Sequence, residues 1–96
     1  MIAFDAARGA RVEDGALAAA LRDAGLTPRQ AEATALVARG RSSLDVAAAL
    51  GISPRTVEKH LQGAFAALGV RTRSQAAERA WSLLGSWGTV AAEPGG

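Results

Sequence analysis

The sequence predicts an all-α protein, a bundle of four helices preceded by one additional helix. Alanine, the strongest helix former, accounts for 24 of the 96 residues, and runs of β-branched residues are absent. Helix start signals and glycines also alternate at short intervals along the chain. A chain of this length builds one small hydrophobic core, so we expect a single domain.

Four start signals define the bundle. Each is a serine or threonine N-cap followed by a proline, or by an acidic or amide residue three positions later. A glycine follows each helical stretch and can end the helix in a left-handed conformation. From cap to stop, the predicted helices run from Thr27 to Gly40, from Ser42 to Gly51, from Ser53 to Gly69, and from Thr72 through about Leu84 to Gly85.

The additional helix is predicted over residues 14–24. Asp14 is its candidate N-cap, Gly25 its stop, and Leu17 and Leu21 lie on one face. Residues 1–13 and 88–96 have no periodic pattern and are predicted to be a flexible N-terminus and a disordered tail. These boundaries leave one domain over residues 14–87, with its four-helix core at 26–84.

The composition argues against an enzyme, a metalloprotein and a membrane protein. The chain has no cysteine and one histidine, so we expect neither a metal site nor a cofactor, and no catalytic constellation is visible. No apolar stretch approaches the roughly 20 residues of a membrane span, and the N-terminus has no signal-peptide pattern. We therefore expect a soluble, cytoplasmic protein.

Positive charge is concentrated in the middle of the chain. The net charge is +2, but residues 27–79 carry eight Lys and Arg residues against four acidic residues. A polyanion would bind here, although a solvated helical surface could carry the same charges.

The segment around Ile52 predicts a tight corner between two helices. Gly51 can take the left-handed conformation, Ile52 can enter the core, and Ser53 can cap the next helix at once. Two helices joined in this way form a helix-turn-helix, whose second helix can enter a DNA major groove.

The helix after Ser53 has two opposite stripes. The apolar stripe, predicted to be core, consists of Val57, Leu61, Ala64, Phe65 and Leu68. The polar stripe, whose side chains are long enough to reach bases or phosphates, consists of Arg55, Glu58, Lys59 and Gln62. His60 lies between the stripes, where it could make a structural hydrogen bond or contact a phosphate.

Residues 26–77 resemble the LuxR-type DNA-binding domain, also called the NarL/FixJ or GerE-like domain. The resemblance rests on LTPR at 26–29, the glycine and polar cap at 40–43, ALGIS-x-RTV-x-x-H at 49–60 and LGVRTRSQ at 68–75. It implies a four-helix LuxR/GerE-like helix-turn-helix bundle that regulates transcription, with the helix at 54–68 reading double-stranded DNA. It also implies a homodimer joined through the last helix.

Site residues follow from the resemblance by position. Base contacts are implied for Glu58, Lys59 and Gln62. We assign contacts to the DNA backbone to Ser43, Ser53, Arg55, Thr56, His60 and Arg73. Ala77, Trp81 and Leu84 are assigned to the dimer interface, although Trp81 could instead pack within the monomer.

The chain departs from the family pattern at several positions. Leu44 and Ala67 stand where relatives usually have cations, and Gly63 where they have Asn, so we expect weaker DNA binding with a shallower salt dependence. In the first bundle helix, Gln30 replaces a usual Glu, and Ala33 and Thr34 replace bulky aliphatics, so the core there is thinned. The candidates to refill it are Phe65, Trp81, Leu17 and Leu21.

Two alternatives remain open. One is a module like σ region 4, which shares a helix-turn-helix and an LTPRQ-like opening. The other is a helix-turn-helix with weak or no DNA binding that acts through RNA polymerase or another regulator. Because only 25 residues precede the motif, we expect no receiver or ligand-binding domain in this chain. The chain would then be a small stand-alone regulator, a fragment, or a protein controlled by a partner.

Overall fold

The computed structural model describes residues 15–92, and side chains within 15–86. Five α-helices and no strand occur in this part of the chain, as the sequence predicts. Helix α1 covers residues 15–23 and is followed by α2 (Pro28–Ala38), α3 (Ser43–Leu50), α4 (Pro54–Leu68) and α5 (Arg73–Ala92). Helix α2 is central and packs against α3, α4 and α5.

The predicted start signals form the expected caps. Thr27 and Ser42 each accept a hydrogen bond from the backbone three residues later, and the side chains of Gln30 and Asp45 bond back to the cap, which completes two capping boxes. Ser53 caps α4 through the backbone N–H of Thr56. At α5, Gln75 N donates to Thr72 Oγ1 and Thr72 N donates to Gln75 Oε1, at 3.0 and 3.3 Å.

The prediction that the last helix ends at Leu84 is wrong. Helix α5 continues to Ala92, through Gly85 and Gly88. Among the described glycines, positive φ angles occur only at Gly25, Gly40, Gly51 and Gly69. A glycine inside a helix costs only about 1 kcal/mol relative to alanine, so without a left-handed turn it does not stop the helix.

Several boundary predictions fall at the ends of the chain. Helix α5 includes residues 88–92 of the segment predicted as a disordered tail. The Asp14 cap, the flexible segment 1–13 and residues 93–96 lie outside the described residues.

Two apolar clusters form the core. The first joins α1 to α2, α4 and α5, and its buried members are Leu17, Leu21, Leu26, Ala31, Ala35, Ala64, Leu68 and Ala80. The second lies among α2, α3 and α4, and its buried members are Ala33, Val37, Val46, Ala47, Val57 and Leu61. Phe65 is half-buried and packs against both clusters.

Of the candidates to refill the core at Ala33 and Thr34, Phe65 packs against the cluster that contains Ala33, whereas Leu17 and Leu21 belong to the other cluster. Leu17 and Leu21 are fully buried, so the additional helix packs onto the bundle. Trp81 does not refill the core, because 37% of it is exposed and its indole lies at the end of α2, where Nε1 donates to the carbonyl of Ala38 at 3.0 Å. The fully buried Thr34 hydroxyl has no hydrogen-bond partner among the residues whose side chains are described.

Candidate nucleic-acid interface

The corner between α3 and α4 is fixed by backbone hydrogen bonds. Gly51 adopts φ 69° and ψ 34°, and its N–H donates to the carbonyl of Ala47. Ile52 N donates to the same carbonyl at 3.0 Å, the 6→1 bond that follows a left-handed glycine in a Schellman motif. Ile52 is half-buried against the second core cluster. The corner is therefore held by hydrogen bonds and by packing, and it sets the direction of α4.

Helix α4 presents the predicted polar stripe to solvent. Val57, Leu61, Ala64 and Leu68 are buried on one side of the helix. On the other side, Arg55, Glu58, Lys59 and Gln62 are all exposed. None of these four side chains packs into the interior, so the stripe is free to meet another molecule.

The start of α4 adds polar groups beside this stripe. Ser53 Oγ accepts from Thr56 N at 3.1 Å and lies 2.9 Å from Thr56 Oγ1. The first backbone N–H groups of a helix, together with its positive dipole end, favour a phosphate at this position. Ser53 is exposed and Thr56 is half-exposed, so both hydroxyls border the surface.

Three predicted site residues bond to one another. Arg73 Nη2 donates to Glu58 Oε2 at 3.1 Å and also to Ser43 Oγ, and the Ser43 hydroxyl donates to Glu58 Oε2. The residues belong to α5, α4 and α3 and lie 15 to 30 positions apart in sequence. Sequence analysis selected each of them separately but missed the cluster, because no local pattern links them.

The remaining site residues are more dispersed. His60 is half-buried, and its side chain makes no hydrogen bond within residues 15–92, so a structural hydrogen bond is not observed there. Leu44 is 70% exposed on α3, and Ala67 is exposed near the end of α4. The positions at which relatives usually carry cations are therefore accessible.

The dimer-interface candidates lie on α5. Ala77 and Leu84 are half-buried, and Leu84 packs against the first core cluster. The Trp81 ring, whose indole N–H bonds to α2, offers the largest exposed apolar area of the three.

Other kinds of site lack structural support in the described part of the chain. No helix there is long and apolar enough to cross a membrane. Among residues 15–92, no three His, Cys, Asp or Glu side chains form a group that could hold a metal ion.

Comparison with known proteins gives a family match over more than half of the chain. The family described as "Bacterial regulatory proteins, luxR family" matches residues 24–80. No solved structure gives a significant match to the chain.

Two curated relatives show what the matching segment is similar to. The chain is 42% identical over 55 residues to "Putative HTH-type transcriptional regulator Mb0914c" of Mycobacterium bovis, a match that covers 57% of this chain and 6% of that protein. It is 38% identical over 69 residues to "Transcriptional regulatory protein MctR" of Rhizobium johnstonii, covering 72% of this chain and 29% of that protein. The chain thus spans a minor part of the length of either relative.

Proposed function

Because the chain belongs to the luxR family of bacterial regulatory proteins, we propose that it is a sequence-specific regulator of transcription that places α4 in the DNA major groove. The observation that carries the proposal is the exposed polar stripe on α4, held outward by the Gly51 corner. An α-helix fits the major groove, where each base pair presents a distinct set of donors and acceptors. Binding to the bacterial chromosome would place the protein in the cytoplasm.

The side chains of the stripe have different chemical roles. Lys59 can donate to guanine, and Gln62 can bond adenine through both atoms of its amide. Arg55, in the first turn, is placed to contact the DNA backbone together with Ser53 and Thr56. Base contact by Glu58 and phosphate contact by His60 remain predictions of the sequence.

Selection of bound sequences from a random duplex pool, followed by affinity measurements, tests the proposal. Lys59→Ala and Gln62→Ala should each relax preference at particular base pairs, since each good base contact contributes about 1–3 kcal/mol of discrimination. Arg55→Ala should weaken binding to all sequences alike. Equal loss from all three variants on every sequence would contradict the assignment.

We further propose that the protein binds DNA as a homodimer joined through α5, with Trp81 at the seam. The supporting observation is that Trp81 is 37% exposed, and a partly exposed aromatic residue is a common interface anchor. A dimer would contact an inverted repeat with half-sites about one helical turn apart, or at a related spacing.

Light scattering distinguishes this dimer from a monomer. Trp81→Ala should yield a monomer, while Trp81→Phe keeps an aromatic ring, although a smaller one that lacks the hydrogen bond to Ala38, and should stay dimeric. A parent protein with the mass of a monomer, or a dimer that survives Trp81→Ala, would refute the seam.

The exposed Leu44 favours one alternative function. An apolar side chain that is 70% exposed, at a position where relatives carry a cation, suits contact with RNA polymerase or another regulator more than contact with phosphate. A gel-retardation assay with random-sequence DNA at low salt distinguishes a DNA-binding regulator from a protein-interaction module. The protein-interaction module would leave that DNA unshifted.

A further inference from the structure

The cluster of Ser43, Glu58 and Arg73 joins three helices beside the polar stripe of α4. Arg73 Nη2 donates to Glu58 Oε2 at 3.1 Å and to Ser43 Oγ, so both of its N–H groups are used. The Ser43 hydroxyl donates to the same carboxylate oxygen. Each residue therefore fixes the other two, although none of the three is buried.

Part of the Arg73 guanidinium remains available for a ligand. A guanidinium has five N–H groups, and within the described residues the three on Nη1 and Nε have no hydrogen-bond partner. The Arg73 side chain is 42% exposed. A planar fork that is held at one nitrogen and has unpaired donors on the other two suits a phosphate oxygen.

We propose that Glu58 is a positioning residue that holds Arg73 against a DNA phosphate, rather than a reader of bases. The inference rests on the proposed DNA-binding function. Base readout by Glu58 would require its carboxylate to accept from the amino group of cytosine. In the structure, Oε2 accepts instead from Arg73 and Ser43, which turns the carboxylate toward α3 and α5.

The direction in which Glu58→Ala changes DNA affinity distinguishes a positioning role for Glu58 from a base-reading role. DNA is a polyanion, so removing a carboxylate from the surface that meets it should by itself strengthen binding. If Glu58 holds Arg73, Glu58→Ala should instead weaken binding to all sequences alike. The slope of log K against log salt should become shallower by about 0.9, the contribution of one phosphate contact to B-DNA.

The experiment measures affinity for a fixed duplex, and for a pool of base substitutions in it, across a range of salt concentrations. Between about 50 and about 200 mM salt, Glu58→Ala should lose roughly 3-fold less affinity than the parent. Arg73→Ala should flatten the slope by the same amount, and the double variant should have the same salt slope as Arg73→Ala alone. Glu58→Gln keeps an acceptor for Arg73 and should recover part of the slope.

Glu78→Ala is the matched control, because it removes an exposed carboxylate from α5 outside the cluster. It should keep the parent's salt slope. Circular dichroism confirms that each variant is folded.

Three outcomes would overturn the inference. They are tighter binding by Glu58→Ala, an unchanged salt slope, and a change of preference confined to one base pair. Failure of the parent to bind any duplex at low salt would instead refute the proposed function, and this inference with it.

Discussion

At the scale of single residues, the buried hydroxyl of Thr34 is the clearest local defect of the core. It is fully buried on α2 and has no partner within residues 15–86. A buried polar group without a hydrogen bond costs about 1–3 kcal/mol. The resemblance to the family implies a bulky aliphatic residue at this position, which would leave no such group.

Thr34→Val should therefore stabilise the protein. The two side chains have nearly the same shape, so the substitution removes the unsatisfied hydroxyl without opening a cavity. We expect the free energy of unfolding to rise by about 1 kcal/mol. Urea unfolding measures it, and a loss of stability would mean that the hydroxyl has a partner in solution.

Leu44 and Ala67 are exposed residues at positions where the family usually has a cation. Leu44→Lys and Ala67→Lys should each tighten DNA binding and steepen the salt slope by about 0.9 per added phosphate contact. Ser86→Lys, at an exposed position of α5, is the control for added charge alone. If all three variants gained equally, the gain would reflect net charge and not contact at these positions.

At the scale of helices, Gln30 and Gly63, which both depart from the family pattern, lie in contact between α2 and α4. Gln30 on α2 accepts from Thr27 N at 3.0 Å, which closes the capping box. A Cβ added at Gly63 on α4 would overlap Nε2 of Gln30 and lie 3.3 Å from its Cδ. Gly63 thus leaves space for the amide that caps α2.

Gly63→Ala tests this coupling. Alanine should add about 1 kcal/mol of helix stability. In the parent this gain should be offset, because Gln30 must shift and the loss of a capping bond costs about 0.5–2 kcal/mol. In a Gln30→Ala background the full gain should appear, and chemical denaturation of the four proteins measures the coupling. Equal effects in both backgrounds would show that Gly63 and Gln30 act independently.

The helices also show which features the sequence could predict. The caps at Thr27, Ser42, Ser53 and Thr72 were predictable because each depends on residues within four positions of one another. The end of α5 was not predictable, because a glycine stops a helix only where its backbone adopts the left-handed conformation. The polar stripe followed from helical periodicity, whereas the cluster at Arg73 depends on how α3, α4 and α5 pack together.

At the scale of the whole molecule, α1 is part of the domain. Leu17 and Leu21 are fully buried among residues of α2, α4 and α5. These two large aliphatic side chains come from a helix that precedes the four-helix bundle, and they form part of the first core cluster. Helix α1 should therefore unfold together with the bundle.

Leu21→Ala should lower the free energy of unfolding by about 2–5 kcal/mol, the usual cost of truncating a buried leucine. For a domain of this size, that is a large part of the total stability. Hydrogen exchange of the parent should show protected amides in the later turns of α1. Unprotected amides there, together with a Leu21→Ala variant as stable as the parent, would contradict the packing of α1 onto the core.

The central claim is that the outward stripe of α4 is the surface that meets DNA. The most direct measurement is a titration of isotope-labelled protein with duplex DNA at low salt, following each backbone amide by NMR. The account predicts the largest shifts at residues 53–62 and at the start of α5, and small shifts in α1. Shifts confined to the α5 face around Trp81, or none at all, would contradict it.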